Sequence, residues 1–281
     1  MSVLLVSAAE LAARLGDPRW RVFDCRHDLK DTQRGEQAYA AGHIPGALFL
    51  HLDRDLSGAT TGRNGRHPLP EVAAFAARMS ACGVGPQTQV VAYDNGNGIF
   101  AARLWWMLRW LGHDNVAVLD GGVTGWQRAG HALAIEVPSY APADFVARPC
   151  GGLVDANYVL ARLNQPQMLM IDARAADRFA GMNETLDPVG GHIPGAVNRC
   201  FVRNLDDKGL HFKSAQQLRA EFTELLAGRA PDSVIQQCGS GVTACHNLLA
   251  MELAGLSGSQ LYAGSWSEWC ADLARPVATG S

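Results

Sequence analysis

The feature that most constrains this 281-residue chain is that it repeats itself. Gly42-His-Ile-Pro-Gly-Ala47 returns, residue for residue, as Gly191-His-Ile-Pro-Gly-Ala196, 149 positions further on. Other pairs keep nearly that spacing and the same order. Leu5-Val-Ser7 matches Leu153-Val-Asp155, and Val22-Phe-Asp-Cys-Arg26 matches Met170-Ile-Asp-Ala-Arg174. Val90-Val-Ala-Tyr-Asp94 matches Val234-Ile-Gln-Gln-Cys238, while Gly121 and Trp126 match Gly264 and Trp269. So many ordered matches mark a duplication, and a duplicated chain of this length is expected to form two similar domains.

Each copy alternates short apolar runs with amphipathic stretches. In the first, Arg21–Asp24, Ala47–Phe49, Val90–Tyr93 and Val116–Leu119 read as strands, and Ala8–Arg14, Glu71–Cys82 and Ile99–Leu111 as helices. Both Leu5-Val-Ser7 and Leu153-Val-Asp155 read as helix beginnings, with Ser7 and Asp155 as caps and Glu10 completing a capping box. The alternation predicts α/β domains, each a mostly parallel sheet with helices on both faces. The Pro-rich stretch Pro138–Pro149 reads as a linker with the boundary near residue 145, so the domains are expected at 1–140 and 150–281.

Composition removes several classes. With 48% hydrophobic and 18% charged residues the chain has a soluble globular profile. Its 24 basic and 27 acidic residues leave a net charge of −3, too balanced for a nucleic-acid or membrane-surface partner. No apolar run approaches the roughly 20 residues of a membrane span, and Met1–Ser7 lacks the features of a signal peptide. Seven cysteines at irregular spacing, without a CxxC pair, argue against a disulfide framework and for a reducing, cytoplasmic compartment. Cys245 and His246 have no second ligand cluster, so no metal is assigned.

Duplication supplies an internal control. After the matching strand, copy one reads Asp94-Asn-Gly-Asn-Gly-Ile-Phe and copy two Cys238-Gly-Ser-Gly-Val-Thr-Ala. Both are Gly-rich strand-to-helix turns, which aim backbone N–H groups into a concavity at a helix N-terminus. The carboxyl end of a parallel strand is also where such sheets bind ligands. Only copy two places a thiol there. N–H donors and the helix dipole favour a thiolate at Cys238, and the same cradle of Gly239, Ser240, Gly241, Val242 and Thr243 suits a charged persulfide.

Two Gly-His-Ile-Pro-Gly-Ala motifs, with Cys-Gly-Ser-Gly-Val-Thr in the second copy and Asp in place of Cys in the first, resemble the tandem rhodanese-fold sulfurtransferases. The likeness spans nearly the whole chain, including Tyr262-Ala-Gly-Ser-Trp-Ser-Glu-Trp269 and Gly65-Arg-His-Pro-Leu-Pro70. The cysteine loop is most similar to that of the 3-mercaptopyruvate branch, since the thiosulfate branch usually carries basic residues directly after the cysteine. The resemblance implies a ping-pong reaction without metal or organic cofactor. The Cys238 thiolate takes the sulfane sulfur of a small anionic donor. A thiophilic acceptor such as cyanide, a small thiol or thioredoxin then removes it.

Further roles are implied residue by residue. The family's Arg-Phe pair before Gly-His-Ile-Pro-Gly matches Arg178-Phe179, which makes Arg178 the expected clamp for the donor's anionic head. A second arginine, common in mercaptopyruvate enzymes, is missing from Glu184-Thr-Leu-Asp-Pro-Val-Gly-Gly191. Arg66 and His67 match residues that lean over the active cysteine from the other domain. Ser240, His67 and Asp53 match a hydrogen-bonded set proposed to protonate the leaving enolate. His43, His192, Asp24 and Asp172 recur in both copies although only one has the nucleophile, so they read as structural. Trp105, Trp106 and Trp110 read as packing, whereas Trp266 and Trp269 read as either core or a wall of the cleft.

Three rival readings stand beside this one. A thiosulfate:cyanide sulfurtransferase would use the same chemistry with another donor. A persulfide carrier would serve only a protein partner. A Cys-based phosphatase would need an arginine six positions after the cysteine, where this chain has Ala244.

Overall fold

A computed structural model describes residues 3–163 and 165–280, so Met1 and Ser2 of the amino-terminal stretch lie outside the described residues. The chain forms two compact units. The first holds the residues through Gly58, Pro70–Cys150 and Asp206–Phe212; the second holds Ala59–Leu69, Gly151–Leu205 and the chain from Lys213 onward.

In the first unit, β1 (Leu5–Val6), β2 (Trp20–Asp24), β3 (Ala47–Phe49), β4 (Gln89–Tyr93) and β5 (Val116–Leu119) form one sheet in the order β1-β5-β4-β2-β3. Every pairing in it is parallel, with Val22 opposite Val91 and Leu5 opposite Val118. Its helices are α1 (Ala8–Ala12), α2 (Arg34–Ala41), α3 (Val72–Ala81), α4 (Ile99–Trp110) and α5 (Gly122–Arg128). The second unit repeats the plan with β6 (Leu153–Val154), β7 (Leu169–Asp172), β8 (Ala196–Asn198), β9 (Val234–Gln237) and β10 (Gln260–Tyr262). Its order, β6-β10-β9-β7-β8, is also parallel throughout. The second unit's helices are α6 (Ala156–Leu160), α7 (Ala176–Phe179), α8 (Ala215–Leu226), α9 (Thr243–Leu253) and α10 (Ser265–Trp269). Parallel strands need crossover helices, and the alternation of apolar runs and helical stretches provides them.

The expected strands and helices of the first copy appear with ends shifted by a residue or two. Two features differ. Leu5–Val6 and Leu153–Val154 are edge strands that precede their helices, rather than helix starts. Two apolar residues carry too little periodicity to reveal a strand that exists only because β5 or β10 pairs with it. Helices α2 and α5 lie beyond the helices expected; α2 is polar on average and buries only Gly35 and Tyr39, which leaves little apolar signal in its sequence. The caps are as expected: Ser7 Oγ accepts from Glu10 N–H at 3.2 Å while Glu10 Oε2 accepts from Ser7 N–H at 2.8 Å. Asp155 Oδ1 accepts from Tyr158 N–H at 2.7 Å.

Pro138–Pro149 is not a free tether. Ala143 N–H donates to the Ser80 carbonyl, Arg148 N–H to Leu111 and Cys150 N–H to Trp110, and Phe145 is buried. Asp206–Phe212 joins the same unit through Asp120, whose carboxylate accepts from Phe212 N–H at 3.0 Å and sits 3.2 Å from His211 Nδ1.

The repeated motifs explain one another. Arg26 lays its guanidinium on Asp24 at 2.6–3.0 Å and reaches the Gly42 carbonyl at 2.8 Å. Arg174 does the same with Asp172 at 2.7–3.1 Å and with the Gly191 carbonyl at 2.7 Å. Each Asp-x-Arg therefore pins its own Gly-His-Ile-Pro-Gly turn to the sheet. The histidine of each turn stacks on an aromatic ring, His43 on Tyr39 at 4.0 Å and His192 on Phe179 at 3.7 Å. Their Nδ1 atoms face the carbonyls of Tyr39 and Phe179. These contacts support the structural reading of all four residues. Trp105 and Trp106 are buried on α4, with Trp106 stacked on Trp110. Trp266 and Trp269 belong to the core beside Ile235 and Tyr262, with indole N–H groups donating to Val189 and Pro276 carbonyls. Core, not cleft wall, is their place.

Candidate active site

Cys238 stands where β9 ends, and the turn Cys238–Val242 leads into α9. The next helix shapes that turn. Trp266 N–H donates to the Cys238 carbonyl at 3.0 Å and Ser267 N–H to the Gly239 carbonyl at 2.9 Å. Ser265 Oγ accepts from Cys238 N–H at 3.1 Å and donates to the Tyr262 carbonyl. The carbonyls of Cys238 and Gly239 are thus tied to α10. Among the described residues the N–H groups of Ser240 and Val242 meet no protein acceptor. Gly241 is required here, because at φ +76° a Cβ would lie 2.2 Å from the Ala263 carbonyl oxygen.

The first unit carries the matching turn. Val123 and Thr124 N–H groups tie down the Asp94 and Asn95 carbonyls, as Trp266 and Ser267 do for Cys238 and Gly239. The Asp94 carboxylate then accepts from Gly96 and Gly98 N–H at 3.0 Å, Phe100 N–H at 2.9 Å and Ala101 N–H at 3.3 Å. Copy one thus fills its own anion cradle. Burial pushes the Asp94 carboxyl up, against the four N–H contacts that favour its ionised form.

The segment Ala59–Leu69 belongs to the second unit and brings two further side chains. Arg66 N–H donates to Ser267 Oγ at 3.0 Å, and Gly65 packs so closely on Gly264 that a Cβ would lie 2.9 Å from its carbonyl oxygen. So anchored, His67 places Nδ1 2.7 Å from Ser240 Oγ, both residues being buried. The guanidinium of Arg66 lies over Gly239, where an added Cβ would meet Nη2 at 2.9 Å. Arg178, on the short helix α7, reaches the same spot: its Nη2 and Nη1 would be 3.5 and 3.6 Å from that Cβ. Two guanidinium groups therefore flank the residue after the thiol.

Sequence reasoning missed what holds those cations. Glu184 takes Arg178 bidentately at 2.8–3.2 Å and Arg174 at 3.4 Å. It also accepts from Leu186 and Asp187 N–H. Burial raises the Glu184 carboxyl, but the Arg178 and backbone hydrogen bonds together hold it below the usual carboxylate range. Asp187 pairs with Arg66 Nη1 and stands 3.4 Å from Arg178 Nη2. The sequence signal is a pair of acids, Glu184 and Asp187, a few residues after Arg178-Phe179.

Of the other expected site residues, Gly239, Val242 and Thr243 lie in the turn and at the start of α9. Asp53 lies in the first unit, its N–H donating to His51 Nδ1 at 3.1 Å and its carboxylate 3.9 Å from that nitrogen. Among the described residues one group has metal-ligating types close together, His27, His51 and Asp53 of the first unit. There His51 already spends both ring nitrogens, on Asp53 N–H and on the Thr32 carbonyl. Cys245 Sγ–H donates to the Gly241 carbonyl at 3.3 Å, and His246 Nδ1 faces the Asn204 amide. Cys238 and Cys245 are both free thiols.

A pair of parallel α/β units, with matching strand-to-helix turns at the ends of their central strands, a carboxylate in one and a thiol in the other, defines a class. The chain belongs to the rhodanese-like family: the rhodanese-like domain matches residues 7–129 and again 155–272. It is a sulfurtransferase that moves sulfane sulfur through a cysteine persulfide. Over 282 residues it is 50% identical to a probable 3-mercaptopyruvate sulfurtransferase of Pseudomonas aeruginosa, covering 99% of both chains. It is 36% identical to a putative thiosulfate sulfurtransferase of Mycobacterium tuberculosis, covering 99% of this chain and 98% of that one. The 3-mercaptopyruvate sulfurtransferase of Leishmania major superposes with a TM-score of 0.85 at 32% identity, over 98% of this chain and 75% of that one. Among the described residues no helix is long and apolar enough to cross a membrane.

Proposed function

We propose that the second unit is the catalytic one, the first being inactive with Asp94 in place of the nucleophile. Cys238 is then the residue that carries the persulfide, and 3-mercaptopyruvate the donor. The observation that carries this reading is the pair of matching turns, one holding a carboxylate on four N–H groups and the other presenting a thiol to the same geometry. Such a cradle stabilises thiolate and persulfide alike. The Cys238 thiolate attacks the sulfur of the donor, forming the S–S bond as the C–S bond breaks. The bonding pair leaves on carbon as the enolate of pyruvate, and a proton from the Ser240–His67 pair converts it to pyruvate. A thiophilic acceptor, for which cyanide, a small thiol and thioredoxin are the candidates, then attacks the outer sulfur and returns the Cys238 thiolate. The seven free cysteines accord with a reducing, cytoplasmic setting.

Arg66 and Arg178 are the clamp for the donor's carboxylate, and Arg66 takes the place of the arginine missing from the Glu184–Gly191 segment. Glu184 and Asp187 partly neutralise that clamp, which suits a single carboxylate better than the compact dianion thiosulfate. With cyanide as common acceptor, kcat/KM for 3-mercaptopyruvate is expected to exceed that for thiosulfate. The reverse order would transfer the protein to the thiosulfate branch. Arg178→Ala is expected to lower kcat/KM for the donor by about 2–3 kcal/mol, mainly through KM, as loss of a charge-assisted contact does. Steady-state kinetics matching wild type would remove Arg178 from the clamp.

A further inference from the structure

Asp187 occupies a curious place for a carboxylate. Its two oxygens are divided between Arg66 and Arg178, the groups that flank Gly239 beside the Cys238 thiol. Its side chain is 2% exposed. A donor carboxylate entering the same clamp would face the same two partners. Burial raises the Asp187 carboxyl in spite of Arg66, so its ionised form is held at a cost.

Asp187 is carried on a short closed loop. Residues 181–190 form a loop whose two ends touch: a Cβ on Gly190 would lie 3.0 Å from the Gly181 carbonyl oxygen, and one on Gly181 3.1 Å from Gly191 N. Glu184 and Asp187 point inward from this loop, while Met182 and Leu186 are exposed. Glu184 is the buttress, bonded to Arg178, Arg174 and the loop backbone. Among the described residues the Asp187 side chain bonds only to the two clamp arginines, while its N–H donates to Glu184. Cys238 is itself only 2% exposed, so a donor meets the two arginines beside Gly239 as it approaches the thiol.

We propose that Asp187 is an internal substitute for the donor's carboxylate: it fills the Arg66–Arg178 clamp in the resting protein, and a monocarboxylate donor binds by taking its place. This inference rests on the clamp reading given above. Exchange of one carboxylate for another leaves the arginines paired throughout, whereas a donor bound beside Asp187 would bring like charges together. The occupant lowers the apparent affinity by the fraction of molecules in which the clamp is free. It also selects against anions too weakly held to displace it, which makes Asp187 a specificity-determining residue rather than a catalytic one.

The test uses pyruvate as the probe, titrated calorimetrically into the full-length wild type and into Asp187→Asn, Asp187→Ala and Arg178→Ala. Pyruvate is expected to bind five- to twenty-fold tighter to both Asp187 variants, with a matching fall in KM for 3-mercaptopyruvate. In the wild type, saturating pyruvate should speed amide hydrogen exchange across residues 182–188, because the displaced loop loses its inner contacts. A general electrostatic gain from removing one negative charge would tighten binding without that acceleration. If Arg178→Ala weakens pyruvate but neither Asp187 variant tightens it, or if pyruvate slows exchange in the loop, Asp187 is not the occupant while the clamp stands. If Arg178→Ala leaves pyruvate binding unchanged, or no form binds pyruvate, the clamp itself is misassigned and this inference falls with it.

Discussion

Cys238→Ser is expected to lower sulfur transfer from either donor by about 10⁴-fold or more, because a serine hydroxyl has neither the acidity nor the sulfur chemistry to carry a persulfide. The substitution is nearly isosteric, and the backbone contacts to Ser265, Trp266 and Ser267 do not involve the sulfur, so the turn should keep its shape. The measurement is the mass of the intact protein after donor alone. Wild type should gain one sulfur atom at Cys238, and the variant none there. Cys150, the exposed thiol among the seven, is the place to look for adventitious sulfur, and peptide mapping separates it from Cys238. Turnover that survives Cys238→Ser would sink the mechanism, whatever the donor.

Asp94→Ala should be the most damaging change outside the thiol. Asp94 is 1% exposed and receives four backbone N–H groups, so its removal strands four buried donors at the start of α4. An unmet buried donor costs roughly 1–3 kcal/mol, and with some relaxation the total loss should be about 3–5 kcal/mol. For a unit of this size that is a fall in thermal midpoint of roughly 6–20 °C. Asp94→Asn should also destabilise, since its amide turns an N–H₂ group toward N–H donors that need an acceptor. Added sulfate or formate should raise the midpoint of Asp94→Ala more than that of wild type, by entering the vacated cradle. A loss under about 1 kcal/mol with no anion effect would mean that this turn is not an anion cradle. The comparison that supports Cys238 would then lose its control.

Both expectations come from a comparison within one chain. Asp94 and Cys238 sit at equivalent strand ends, and Val123–Thr124 and Trp266–Ser267 tie their turns in the same way. At that shared position one turn carries a carboxylate and the other a thiol. Arg26 and Arg174 likewise hold both Gly-His-Ile-Pro-Gly turns, a structural task common to the two copies, which is why those motifs recur.

The amino-acid sequence by itself determined the duplication, the two parallel sheets, and the thiol that only the second copy places at its strand end. All of these rest on local order: alternating periodicities, turn glycines, and residues adjacent in the chain that remain adjacent in space. The short strands Leu5–Val6 and Leu153–Val154 were not legible, because their conformation comes from pairing with β5 and β10 rather than from their own two residues. The geometry of the rest of the site was decided by tertiary structure. It set His67 against Ser240 across 173 positions and Arg66 against Asp187 across 121. It also placed two buried carboxylates on the arginines where sequence reasoning had seen only a missing cation. Charge pairing of this kind depends on which side chains a fold buries together, and no spacing within one element records it.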